Sequence, residues 1–351
     1  MLPCVWVTSG LRWAGRDVGA YRREMDLPSK RVADIVDTLI ELPVITSYTR
    51  LGPAVRRRLD HWVPLASYDL TGRVIVLTGA TSGLGLAAAR EFAGRGASLV
   101  VVGRDRDKTQ RVRDELAAGS GNDNVDLALA DMGNLAQVRA LGADLLSRFA
   151  RIDVLIHNAG ALSDTYSLSP EGIETTVASQ VVGPFVLTTL LLDRLAGSAP
   201  SRVITMASGG MYSQPLCVSN LEMGEPEYKG ATAYARAKRA QVTLNEMWAL
   251  RHAGGGVRFH AMHPGWADTP GVQESLPTFQ RVMGPLLRTP LEGADTLVWL
   301  AADDGLPLST NGAFWLDRRR RSLHLLPSTR RSDTPEQRSR LWDHVAELAA
   351  R

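Results

Sequence analysis

The stretch TAYARAKRAQ, residues 232–241, sets a phenol and an ammonium four positions apart, at Tyr234 and Lys238. No proline or glycine interrupts the run, and positions four apart in a helix share a face. Two readings are open. Lysine and tyrosine decorate solvated helix faces, so the pair can be plain surface. Alternatively, an ammonium one turn away favours the phenolate and makes the phenol a better proton exchanger near neutral pH than an unperturbed tyrosine, whose pKa is about 10. The rest of the chain decides between them.

A second candidate is a loop suited to an anion. TGATSGLG, Thr78 to Gly85, joins the apolar run RVIVLT to the helix-like LAAAREFAGRG. Gly79, Gly83 and Gly85 let the backbone turn tightly and approach a pyrophosphate, and the helix start behind them supplies free N–H groups and the positive end of a dipole. Thr78, Thr81, Ser82 and Leu84 complete the loop. A glycine triplet alone is a weak signal, but between a first strand and a helix it reads as a dinucleotide loop. Its spacing, glycine–three–glycine–one–glycine, departs from the usual fingerprint and keeps the mechanics. Beyond Gly103 the first side chain is Arg104, a cation suited to a ribose 2′-phosphate, where a free 2′-hydroxyl would want a carboxylate. That favours NADP, with NAD as the alternative. Asp105 reads as the N-cap of the next helix.

These residues need a scaffold, and the apolar runs describe one. RVIVLT (73–78), SLVVV (98–102), VDLALA (125–130), DVLIH (153–157), RVITM (202–206) and VRFHAM (257–262) alternate with segments long enough for helices. The alternation predicts an α/β fold, a doubly wound, mostly parallel Rossmann-like sheet, in one domain over 70–316. Residues 1–69 form a helical extension. Within it Ser29 caps a helix carrying Val32, Ile35, Val36, Leu39 and Ile40, and Pro43 stops it. A second segment sets Tyr48, Leu51, Val55, Leu59 and Trp62 along a stripe interrupted by Pro53 and flanked by Arg50, Arg56, Arg57 and Arg58. Residues 29–65 therefore offer either peripheral contact with a membrane surface or a helix packed on its own domain. Residues 317–351 form a basic tail. DRRRR (317–321) reads as a solvated turn, and Thr334, Pro335 and Gln337 as a capping box opening a terminal helix with Leu341, Val345 and Leu348 on one stripe.

Composition narrows the classes. The chain has 351 residues, a formal net charge of +3, 44% hydrophobic and 22% charged residues, which gives no nucleic-acid footprint. Two cysteines, Cys4 and Cys217, lack paired spacing and suit a reducing, cytoplasmic setting. No basic n-region with a long apolar core opens the chain, and no apolar run of about 18 residues suggests a membrane span. His260 and His263 have no third ligand at metal spacing, so no metal site is expected. No GxSxG elbow makes Ser208 a hydrolase nucleophile.

In order, the motifs resemble the short-chain dehydrogenase/reductase family over residues 70–316. The glycine loop is followed by Asp131–Met132, at the family's adenine-side aspartate, and by HNAG (157–160), similar to its NNAG, with Asn158, Ala159 and Gly160 in register. ITMASGG puts Ser208 at the family's catalytic serine, YARAK supplies Tyr234 and Lys238, and HPGWADT offers Pro264, Gly265 and Thr269, the last at the threonine that bonds the nicotinamide carboxamide. The resemblance implies an NADP(H)-dependent oxidoreductase that interconverts a carbonyl and an alcohol. In it Tyr234 is the general acid and base, Lys238 tunes it and reaches the nicotinamide ribose, and Ser208 binds the substrate oxygen.

Where the family often has a relay asparagine, three before Gly183, this chain has Gln180. His157 at a buried strand end reads as scaffold. The substrate lip is expected from Met211, Tyr212, Pro215, Leu216 and Met223, and from Trp266, Val272, Leu276, Phe279, Met283, Leu286 and Leu287. Its apolar bias points to a lipophilic substrate. A rival function is a non-catalytic NADP-binding scaffold or sensor, and a sugar-nucleotide epimerase is disfavoured by the glycine spacing. The resemblance also implies a homo-oligomer paired through the helices containing VLTTLLL and YARAK.

Overall fold

The computed structural model describes residues 30–41, 43–275 and 277–351; the expected cap at Ser29 and the lip residue Leu276 lie outside them. Ahead of the sheet come helices α1 (Lys30–Glu41), α2 (Val44–Tyr48) and α3 (Leu51–Leu59). The core then runs β1 (Val74–Thr78), α4 (Gly83–Ala93), β2 (Ser98–Gly103), α5 (Arg106–Ser120), β3 (Val125–Leu129), α6 (Leu135–Arg148) and β4 (Val154–His157). It continues through α7 (Gly183–Gly197), β5 (Ser201–Met206), α8 (Gly230–Arg251), β6 (Val257–Met262), α9 (Pro270–Ser275), α10 (Pro277–Met283) and α11 (Pro290–Ala302). Strands β7 (Ala313–Leu316) and β8 (Arg319–Arg321) and helix α12 (Pro335–Ala349) close the chain.

One sheet of eight strands in the order β3-β2-β1-β4-β5-β6-β7-β8 carries the domain. All neighbours are parallel except β7 and β8. Both faces are covered, which is why the strands read as continuous apolar runs. Successive residues of β1 alternate between the layers. Val74 and Val76 pack with α6, α7, α8 and α12, while Ile75 and Leu77 pack with α4, α5 and α11. The strand order reverses beside β1, which leaves a crevice at its carboxyl end between β2 and β4. The composition-level candidate for a membrane span, 175–197, is mostly buried in this core.

Four features depart from expectation. DRRRR is not a solvated turn: residues 319–321 are a strand paired with β7, so the boundary expected at 316/317 cuts a hairpin. Arg318 is buried in a two-pronged pair with Asp295, at 2.7 and 2.9 Å, and Arg319 and Arg321 reach Asp60, Asp34 and Asp37. Helix α1 turns its acidic side inward, toward Arg56 and those arginines. Its apolar Val32, Ile35 and Leu39 face solvent, the latter two more than 60% exposed. Pro53 sits in the first turn of α3 rather than interrupting a stripe, and Arg56 is fully buried. At α12 only half the capping box forms. Thr334 accepts from Gln337 N at 3.3 Å, and the Gln337 side chain accepts from Val218 instead.

Candidate active site

The carboxyl ends of β1 to β6 deliver the glycine loop, Arg104, Asp131, Met132, the HNAG stretch, Ser208 and the Pro264–Thr269 segment, while α8 carries Tyr234 and Lys238 and a π-helical turn carries Gln180. At β1, Gly79 (φ +66°) and Gly83 (φ +52°) take a left-handed backbone. A Cβ on Gly85 would stand 2.2 Å from Gly79 O, so only glycine lets α4 start this close to the strand end. No side chain caps α4 at Ser82, which leaves its first N–H groups turned toward the crevice. Thr78 Oγ1 accepts from the backbone of Asn158 and Ala159, both at 3.1 Å, while Asn158 Nδ2 donates to Thr78 O and Gly79 O at 3.1 and 3.0 Å. These bonds staple β4 to the loop. Thr81 lies against Gly103, and beyond that glycine Arg104 is exposed, with no ion pair among the described residues. Asp105 caps α5 through Lys108 N at 2.7 Å. Asp131 Oδ1 accepts from Gly133 N at 2.9 Å beside buried Met132.

Ser208 leaves β5 as the N-cap of a short turn, its Oγ accepting from Gly210 N at 3.2 Å. On α8 the Lys238 ammonium lies 5.2 Å from the centre of the Tyr234 ring and donates to Met206 O at 2.9 Å, which ties the helix to the strand that carries Ser208. Burial pulls Lys238 down to about 7. Burial also pushes the Tyr234 phenol up, and its contact with the Ser208 hydroxyl opposes that. In the protein alone, desolvation therefore outweighs the phenolate-favouring effect expected of the spacing, because a lysine this dry loses much of its charge at neutral pH.

Gln180 lies in a π-helical turn, 178–182, fully buried. Its Nε2 donates to Ala161 O at 2.8 Å, its own carbonyl accepts from Gln241, and its Oε1 has no partner. Among the described residues no hydrogen bond joins Gln180 to Lys238. Pro264, Gly265 and Thr269 follow β6, and the Thr269 side chain comes within 3.4 Å of where a Cβ on Gly83 would stand. His157 bonds Thr188 Oγ1 at 2.8 Å, and burial depresses it to about 3, as suits a scaffold residue. His260 and His263 are likewise buried and neutral, and no metal-binding cluster occurs among the described residues.

Residues 73–279 match the short chain dehydrogenases. A human relative, dehydrogenase/reductase SDR family member 12, is 36% identical over 80% of this chain and 87% of its own. The chain belongs to the short-chain dehydrogenase/reductase family. Bovine retinol dehydrogenase 12 is 33% identical over 88% of this chain and 98% of its own. Among solved structures, a protein of unknown role from Mycobacterium paratuberculosis superposes with a TM-score of 0.65 at 26% identity, covering 82% of this chain and 97% of that one. A structure described as a putative NAD(P)-dependent gluconate 5-dehydrogenase from Beutenbergia cavernae, with bound NADP, gives 0.59 at 26% identity over 71% and 96%. As a member of this family the protein is an oxidoreductase.

The expected lip divides. Met211, Tyr212 and Leu216 are core residues, held by Arg239, whose guanidinium donates to the carbonyls of Met211, Gln214 and Leu323. They face the protein because a buried arginine folds the loop back on itself. Trp266, Val272, Phe279 and Met283 stay half-exposed, Leu286 is exposed and Leu287 is buried. Sequence reasoning missed what lies beneath the site. The Tyr48 ring from α2 packs edge-on against His263 and Trp266, at 4.4 and 5.7 Å between centres. A Cβ on Gly209, next to Ser208, would stand 2.8 Å from that ring. The signal available was the aromatic at 48 on its own stripe, which gave no hint of its partner.

Proposed function

We propose that the protein is an NADP(H)-dependent oxidoreductase that interconverts a lipophilic carbonyl and its alcohol. The observation that carries this reading is the convergence of Ser208, Tyr234 and Lys238 beside an uncapped, glycine-started helix. The crevice fits a dinucleotide: the N–H groups opening α4 suit its pyrophosphate, Asp131 and Met132 its adenine side, and unpaired Arg104 a 2′-phosphate. Pro264, Gly265 and Thr269, with Asn158, Ala159 and Gly160, line the nicotinamide side. When bound, the cofactor supplies or removes the hydride. Ser208 Oγ donates to the substrate oxygen and Tyr234 gives that oxygen its proton in reduction, or takes it in oxidation. Lys238 orients the cofactor ribose and passes the proton on through water, and the unpaired Oε1 of buried Gln180 is an acceptor that would hold such a relay water.

Support for a lipophilic substrate comes from the side chains around the lip. Val282 is 71% exposed and Leu286 38%, with Phe279 edge-on against Trp266 at 5.1 Å between ring centres. Titration with NADPH and NADH, followed by tryptophan quenching, tests the cofactor. A carbonyl panel run with NADPH tests the substrate, and short polar hydroxy acids or sugars outperforming every lipophilic carbonyl would refute it.

The outward apolar face of α1 favours peripheral contact with a membrane surface. Val32, Ile35 and Leu39 are exposed, as are Arg50, Arg57 and Arg58 on the neighbouring segment. Sedimentation with phosphatidylserine vesicles checks this, and a Leu39→Glu variant that sediments as well as the parent refutes it.

A further inference from the structure

Arg288 closes the neck of the lip segment. Its N–H donates to Trp266 O at 2.8 Å and its carbonyl accepts from Asp268 N at 2.9 Å, so the excursion from 266 to 288 begins and ends at one place. Its guanidinium is 1% exposed. Nε donates to Tyr48 O and Thr49 O, at 3.0 and 3.3 Å. Nη1 donates to Pro264 O at 3.1 Å and Asp317 Oδ1 at 2.6 Å, and Nη2 to Ser47 O at 2.7 Å and Asp317 Oδ2 at 3.0 Å. Asp317, in the β7–β8 turn, also accepts from Arg56 at 2.6 Å. One planar group thus joins the extension, the hairpin and the Pro264–Gly265 turn.

That turn lies directly over it. Gly265 has φ +75°, and a Cβ there would stand 2.2 Å from Arg288 Nε. Further along, Thr269 meets Gly83 of the glycine loop. The turn and the threonine are therefore held between a guanidinium and the start of α4. A buried ion pair is weak evidence for stability, since desolvation offsets its attraction, but a fork with every N–H committed fixes geometry.

We propose that Arg288, braced by Asp317 and the carbonyls ending α2, is a positioning residue that fixes the Pro264–Gly265 turn and Thr269 for the nicotinamide half of the cofactor, which makes the N-terminal extension part of the active site. This rests on the reading of the crevice as an NADP(H) site. The test compares two ligands on the full chain: NADPH, and 2′,5′-ADP, which has the adenine and 2′-phosphate but no nicotinamide. If the parent prefers NADH, NADH and 5′-AMP replace them.

Arg288→Lys keeps the charge and loses the fork. Asp317→Asn keeps the size and loses the brace, and serves as well if the first variant fails to fold by circular dichroism. Each is expected to raise the NADPH dissociation constant about 10-fold and leave that of 2′,5′-ADP within about twofold. NADPH affinity unchanged in a folded variant overturns the inference. Equal weakening of both ligands also overturns it, by making Arg288 a general strut. A parent that binds neither nicotinamide nucleotide overturns the cofactor reading and this inference with it.

Discussion

Replacing Lys238 by methionine should stabilise the protein near neutral pH while abolishing its chemistry. In the unfolded chain the ammonium titrates near 10.5, and in the folded protein burial brings it to about 7. At about 1.4 kcal/mol per unit, the charged form costs the fold up to roughly 5 kcal/mol. The sign follows from proton counting. Below about 7 lysine is charged in both states, so the folded protein bears the whole cost. Between about 7 and 10.5 the unfolded chain binds the extra proton, and the cost fades as pH rises. Methionine matches the length of the stem and carries no charge, at the loss of one bond to Met206 O. The assay is urea denaturation of parent and variant at about pH 6.5 and about pH 9.5, with the stability difference taken at each. Taking the difference cancels every other titrating group. The advantage of the variant should shrink by about 3 kcal/mol from the lower to the higher pH. A difference that moves by less than about 1 kcal/mol would show that Lys238 does not titrate in this range, and the argument from its burial would fail.

Other outcomes follow from the same geometry. Tyr234→Phe should lower turnover by about 10³-fold with NADPH affinity retained, measured by steady-state kinetics beside a binding titration. Arg104→Ala should weaken NADPH by roughly 10- to 100-fold and leave NADH nearly untouched, since a charge-assisted bond to phosphate is worth about 1.5–3 kcal/mol. Gln180→Leu should reduce kcat and alter its solvent isotope effect if the relay runs past this residue; unchanged values would remove it from the proton path. Leu341→Ala, at a fully buried position of α12, should cost about 2–5 kcal/mol of unfolding free energy by urea titration, with cofactor affinity intact.

Much of the core was legible because its physics is local. Strands β1, β2, β4, β5 and β6 are buried almost throughout and therefore show as apolar runs close to their observed bounds, while edge strand β3, with Asp126 exposed, shows a partly alternating run. Gly79, Gly83 and Gly85, then Ser208, Tyr234 and Lys238, announce themselves by spacing within a few residues. The hairpin of β7 and β8 did not, because β7 is four residues long and β8 is all arginine, with no alternation to read. Nor did the direction of α1. Its apolar stripe left open a membrane-facing or an inward side, and the arginines that draw its acidic side inward lie far along the chain. Arg239 gave no warning either that Met211, Tyr212 and Leu216 would be core. Ion pairs between distant segments leave no periodic trace in sequence.

The brace between Arg56 and Asp317 spans 261 residues. Arg56 is made early, and at roughly 5–20 residues per second its carboxylate partner follows about 13–50 s later. Until then Asp37 and Glu41 are its nearby partners, while Arg319 and Arg321, which complete the ionic cluster, are not yet made. The ionic cluster that seats α1 and α3 is therefore completed only once the β7–β8 hairpin has formed. A chain that stops short of residue 317 keeps the Arg288 bonds to the carbonyls ending α2 but lacks the carboxylate and the arginines that lock Arg56, Asp37 and Glu41 in place.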